Sequence, residues 1–212
     1  RRLLASGLVF VLLALAPFPN PTSAGETSAA PPGRVGRVRL PVRRLPLPIV
    51  PQAHPWSCGA AALLSVLYFM QRYDAGEASL YEALGTTPEH GTRPERIVAV
   101  ARARGLAAEL RQNLTIADLA AALRRRDTAV ILDIQAWPDT PLRWEDAWED
   151  GHYVVLVGLD ARNVYVMDPS SFYVYGFIPR AELLRRWHDY ETVEGRRVEY
   201  HRAGILSAAA RS

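Results

Sequence analysis

The 212-residue chain holds a single cysteine, Cys58, in the string Gln52-Ala-His-Pro-Trp-Ser-Cys58-Gly-Ala-Ala-Ala-Leu-Leu. A cysteine nucleophile needs an environment that favours the thiolate, a base to take the proton, and a group to orient that base. The run after Ser57 reads as a helix beginning at the sulfur itself, and the positive end of a helix dipole favours a thiolate. A helix start also aims the Cys58 backbone N–H at an oxyanion forming on a bound carbonyl. Gln52, six residues upstream, offers a second donor through its side-chain amide. Taken alone, the thiol is as readily a buried structural residue as a nucleophile.

Five histidines compete for the role of base. His54 lies in the loop just before the cysteine, and His90 sits in a Pro/Gly-rich loop. His188 and His201 fall in the C-terminal region without organising partners. His152 differs, because it opens the apolar run Tyr153-Val-Val-Leu-Val-Gly-Leu159, where a sheet would fix its imidazole. Asp168 ends the following run, Val164 to Met167, just before Pro169. The turn-like Asp160-Ala-Arg-Asn163 between the runs makes them a hairpin, which brings His152 and Asp168 to one edge. A carboxylate beside an imidazole selects its tautomer and stabilises the imidazolium. The competing reading of Asp168 is a turn starter before proline.

The elements that must hold these residues follow from the pattern. Ser57 is expected to cap a helix from Cys58 to Arg72. Further helices are expected over Glu77–Leu84, closed by Gly85, and over Pro94–Arg104, with proline at the start and Gly105 at the stop. Thr115-Ile-Ala-Asp118 resembles a capping box opening a helix to about Arg126. Strands are expected over 129–135, 153–159, 164–168 and 172–178. A helix over 179–188 and a closing strand over 197–201 complete the order. Helices first and mostly antiparallel strands after make an α+β fold.

The strings QAHPWSCGAAALLSVL, GHYVVLVGLD and VYVMDPS resemble those of the papain-like cysteine peptidases that remove double-glycine leaders from bacteriocin precursors, cysteine peptidase family thirty-nine. The resemblance runs from about Leu47 to His188 and includes both spacings, Gln52 to Cys58 and His152 to Asp168. It implies a papain-like fold with Cys58 as nucleophile, His152 as base, Asp168 as its orienter and Gln52 as oxyanion-hole donor. Leader-processing members are usually fused to an exporter and often carry aspartate before the cysteine. This chain has Ser57 there and no G-x-x-x-x-G-K-[ST] loop. It is closer to free-standing, exported relatives.

An export segment is itself expected. Arg1 and Arg2 precede an uncharged apolar stretch from Leu3 to Ala16, and Thr22-Ser-Ala24 is a small-residue cleavage site. At about 14 residues the stretch is short for a membrane span of roughly 20, so membrane contact is expected only through this segment if it stays uncleaved. Residues 1–24 are therefore read as a signal peptide, 25–46 as a Pro/Arg-rich linker or arm, and 47–212 as the peptidase domain. The expected location is the periplasm or the extracellular space. One cysteine permits no intramolecular disulfide. All 25 basic residues are arginine, set against 22 acidic ones, and the near balance argues against a nucleic-acid partner.

Trp137 and Trp148 flank an acidic segment that leads into His152. They are read as a substrate-binding rim, with a connection pinned by its own indoles as the competing account. No ligand spacing for a metal is present, no cofactor is called for, and Ser170 and Ser171 lack a G-x-S-x-G elbow. The expected partner is a peptide or protein substrate, cleaved through an acyl-enzyme on Cys58. Two alternatives keep the same residues: a transglutaminase-like acyl transferase or deamidase, and a catalytically silent peptide-binding module.

Overall fold

The computed structural model describes residues 40–41, 44–137, 143–171 and 173–210. The expected signal peptide and most of the expected arm lie outside the described residues. The chain joins the fold at Arg44, which bridges to Gly158, and at Leu45, whose N–H donates to the Val157 carbonyl. Leu45 and Leu47 are both buried.

Helix α1, Cys58–Phe69, is apolar all round and is buried from Cys58 through Leu67, as a helix at the centre of a protein must be. It stops short of the expected Arg72, because the turn after Met70 takes Gln71 into left-handed backbone. Ser57 is not its side-chain cap; its hydroxyl donates to the His54 carbonyl and accepts from the His54 N–H. The hydroxyl fixes the loop before the helix. A 3-10 turn, Glu77–Leu80, runs into the short α2, Tyr81–Leu84, and Gly85 closes it in left-handed backbone. Helix α3, Pro94–Ala103, starts on its proline and ends before Gly105. Helix α4, Ile116–Arg124, opens with the full capping box of Thr115 and Asp118.

Among the described residues, eight antiparallel strands complete the fold. They are β1, Leu106–Arg111; β2, Thr128–Gln135; β3, Gly151–Leu159; β4, Asn163–Met167; β5, Tyr175–Pro179; β6, His188–Val193; β7, Arg196–His201; and β8, Gly204–Ala209. The short helix α5, Arg180–Arg186, follows β5. Six strands form one sheet in the order β1-β8-β2-β3-β4-β5, and β6 and β7 pair separately. The strand expected over 197–201 is thus β7, paired with β6 rather than closing the main sheet. Strands β1, β6 and β8 answer to no sequence expectation.

The main sheet is covered on both faces. Alternate residues Ile131, Tyr153, Val155 and Val157 pack with α1 and α3. Their neighbours Leu132, Ile134, Val154 and Leu156 pack with α4 and α5. This is why β2 and β3 read as unbroken apolar runs. No helix among the described residues is long and apolar enough to cross a membrane.

Candidate active site

The start of α1 is held in place by close packing. A Cβ on Gly59 would sit 2.7 Å from Thr92 Cβ and 3.1 Å from the Tyr153 ring, so only glycine lets the helix approach the sheet here. The loop before it is fixed from the other side. The Ala53 N–H donates to Glu77 Oε2 at 3.0 Å, and Tyr81 Oη donates to Glu77 Oε1 at 2.8 Å. The His54 ring stacks on Trp56, which packs against Tyr81. His54 is therefore part of the loop's own scaffold.

Cys58 is 8 % exposed and His152 7 %. His152 Nε2 lies 2.7 Å from Asp168 Oδ1. The same Oδ1 accepts from the Ser170 N–H and hydroxyl, both at 2.8 Å, and Oδ2 accepts from Trp137 Nε1 at 3.3 Å. Burial alone would lower the His152 pKa. The hydrogen bond that Nε2 donates to Asp168, then hydrogen bonding and charge at Cys58, overcome burial and raise it to about 9. Burial would raise Asp168, but the hydrogen bond and charge of His152, with the two bonds from Ser170, hold it below the ordinary carboxylate range. The imidazole thus stands between a thiol and an ionised carboxylate. With Nε2 committed to Asp168, Nδ1 is the nitrogen left to exchange a proton with sulfur.

Gln52 reaches the same place through its backbone, since its N–H donates to the carbonyl of Pro169, the residue after Asp168, at 2.9 Å. Its Nε2 donates to the His54 carbonyl at 2.8 Å, which uses one of two amide hydrogens. The four residues singled out in the sequence therefore meet at the junction of α1, β3 and the turn after β4.

Trp137 is 52 % exposed in left-handed backbone, with φ 57°. Its indole is tied to Asp168 on one side and lies under the Arg186 guanidinium, 4.5 Å from the ring centre. Trp148 packs elsewhere, on His188, Tyr190 and His201 of the β6–β7 pair, with Arg197 over its ring. His188 Nε2 lies 2.7 Å from the Ala147 carbonyl, and His201 bonds to Glu199. Sequence reasoning missed Arg186. Its side chain is buried, its Nε donates to the Gln135 carbonyl at 2.6 Å and it forms an ion pair with Glu182. An arginine at the end of a short helix, immediately before a tryptophan, carries no signal of its own. No cluster of possible metal ligands occurs among the described residues.

The model of the peptidase C39 family matches residues 46–191. The chain belongs to the peptidase C39 family. It is a cysteine peptidase of the type that includes the double-glycine leader peptidases, with the papain-like α+β fold of that family. Comparison with curated protein sequences finds no match. Among solved structures, this C39 chain is similar to a double-glycine motif protease from an AMS/PCAT transporter, solved with its leader peptide. The identity is 18 %, covering 79 % of this chain and 94 % of that one, at a TM-score of 0.54. It is also similar to the peptidase domain of Streptococcus ComA, a bi-functional ABC transporter involved in quorum sensing. There the identity is 19 %, covering 76 % and 97 %, at a TM-score of 0.56. A C39-like peptidase from Bacillus anthracis is 17 % identical over 80 % and 98 %, at a TM-score of 0.58. At these identities the likeness is one of fold.

Proposed function

We propose that the chain is an exported C39 peptidase that cleaves peptide bonds through a thioester on Cys58. The observation that carries this reading is the buried His152, bonded to Asp168 and interacting with the Cys58 thiol. The sulfur attacks the substrate carbonyl carbon as a thiolate, its proton held on His152 Nδ1. The oxyanion faces the Cys58 backbone N–H, one of the unpaired donors at a helix start, and the free hydrogen of the Gln52 amide. The imidazolium then passes its proton to the leaving amine as the C–N bond breaks. Water, deprotonated by His152, attacks the thioester, and the thiolate leaves. Asp168 keeps Nε2 protonated throughout, and Trp137 shields it from solvent.

A peptide or protein substrate is supported by the leader peptide that the AMS/PCAT protease binds. Export is supported by the apolar stretch after Arg1 and Arg2. The test is alkylation of Cys58 by iodoacetamide at pH 6. Wild type should react roughly 10²-fold faster than His152→Ala, because proton transfer within the pair supplies the thiolate. Equal, slow rates in both proteins overturn the reading. Amide product formed with an added amine would redirect it toward acyl transfer.

A further inference from the structure

A pair of acidic groups lies on the face of β3 opposite to that of His152, within electrostatic reach of Cys58 through Asp133. Asp133 on β2 stands directly across from Tyr153, the residue whose ring meets Gly59. Asp133 is 3 % exposed, and its Oδ1 is buried with no hydrogen-bond partner. Asp189 on β6 is the first charged group that acts on it: Asp189 Oδ1 accepts from Gln135 Nε2, two residues along β2, and Oδ2 lies against Gly151, two residues before Tyr153. Two buried carboxylates side by side repel and can only accept, so the pair is satisfied when one of them keeps a proton.

The remaining bonds say which group keeps it. Asp189 accepts from Gln135 Nε2 at 2.8 Å and from a backbone N–H at Tyr190, and it feels the charge of Arg197. Asp133 receives no bond that would favour its anion, and its surroundings are Asp189, Glu191, Cys58 and Tyr153. Glu191 in turn faces Asp189, Arg93 and Glu95. Asp189 is the carboxylate, then, and Asp133 the acid. The Asp189 carboxylate also occupies the space where a side chain on Gly151 would be, immediately before His152.

We propose that Asp133 is a positioning residue: a permanently protonated carboxylic acid whose O–H holds the Asp189 carboxylate against Gly151 and so fixes the start of the strand that carries His152. The proton is what lets a carboxyl stand beside the nucleophile. A second buried anion there would oppose the thiolate, whereas a neutral donor does not. In agreement, burial first and the charge of Asp189 next push the Asp133 carboxyl well above its ordinary range, while burial raises Asp189 only to about 6.

Two substitutions separate the proposal from a merely structural role. Asp133→Asn keeps a neutral donor of the same shape, and kcat/KM should stay within about threefold of wild type from pH 5 to 8. Asp133→Leu keeps the volume without the donor, and kcat should fall at least about tenfold with KM little changed, the loss expected for a displaced base. An Asn variant as impaired as the Leu variant overturns the proposal. Carboxyl-carbon NMR of the wild-type protein labelled at aspartate decides independently of either variant. One aspartate must remain protonated at pH 7, and a fully ionised set overturns the proposal. Only the kinetic arm depends on the Cys58 reading. Slow alkylation of Cys58 would defeat that reading and leave the carboxyl signal untouched.

Discussion

Asp168 and Asp133 lie on either side of β3 and are 2 % and 3 % exposed, yet the first is held below the ordinary carboxylate range and the second well above it. Depth does not separate them; partners do. Asp168 receives an imidazole, a hydroxyl, a backbone N–H and an indole N–H. Asp133 receives none of these and has another carboxyl as its neighbour. The alternation of a β-strand divides the two surroundings, since His152 turns to one face and Tyr153 to the other. The two faces of β3 thus meet different carboxyls, Asp168 at His152 on one and Asp133 across from Tyr153 on the other.

Four substitutions sharpen or break this contrast. The largest effect belongs to Asp168→Asn, which removes the charge that stabilises the imidazolium. We expect kcat to fall roughly 10²-fold or more with the near-UV dichroism unchanged. Loss of that dichroism would make Asp168 a fold residue and end the comparison. The two carboxyls should also oppose each other in stability against pH. Asp168 is lowered in the folded state, so its contribution is present above its unfolded pKa and disappears as pH falls through the folded value. Asp133 is raised, so its contribution is present below its unfolded pKa and disappears as pH rises toward the folded one. Urea unfolding across pH 3 to 9 should therefore show a flatter acid limb in Asp168→Asn and a flatter neutral limb in Asp133→Asn.

A smaller effect is expected at Gly151, where an added methyl meets the Asp189 carboxylate. Gly151→Ala should cost about 1–3 kcal/mol in urea unfolding, the usual range for forced overpacking. A neutral result would mean that Asp189 moves freely and does not brace the strand. Smallest is Trp137→Phe, which keeps the ring under Arg186 and removes the 3.3 Å bond to Asp168. A fall of about three- to fivefold in kcat is expected, in proportion to about 1 kcal/mol for one hydrogen bond.

The site was legible where one local pattern sufficed. The apolar run from Cys58 and the hairpin around Asp160–Asn163 put Cys58, His152 and Asp168 on named element ends, and the Thr115 capping box is a three-residue signal. Legibility failed where long-range pairing overrode local preference. Leu106–Arg111 and Gly204–Ala209 are rich in alanine and leucine, which favour helix, yet they pair with each other as β1 and β8. Asp133 was hidden inside an apolar strand, and its partner Asp189 stands more than fifty residues away. Ser57 had the chemistry of a cap, but the His54 backbone claimed its hydroxyl first.

Strand β8 has a consequence for how the enzyme comes into being. It is the last strand among the described residues, yet it sits inside the sheet, between the edge strand β1 and β2. Until residues 204–209 have emerged from the ribosome, β1 and β2 lack the partner that joins them. The sheet therefore stays open until those residues are made, and a pairing over so long a stretch of chain as β1 with β8 closes slowly.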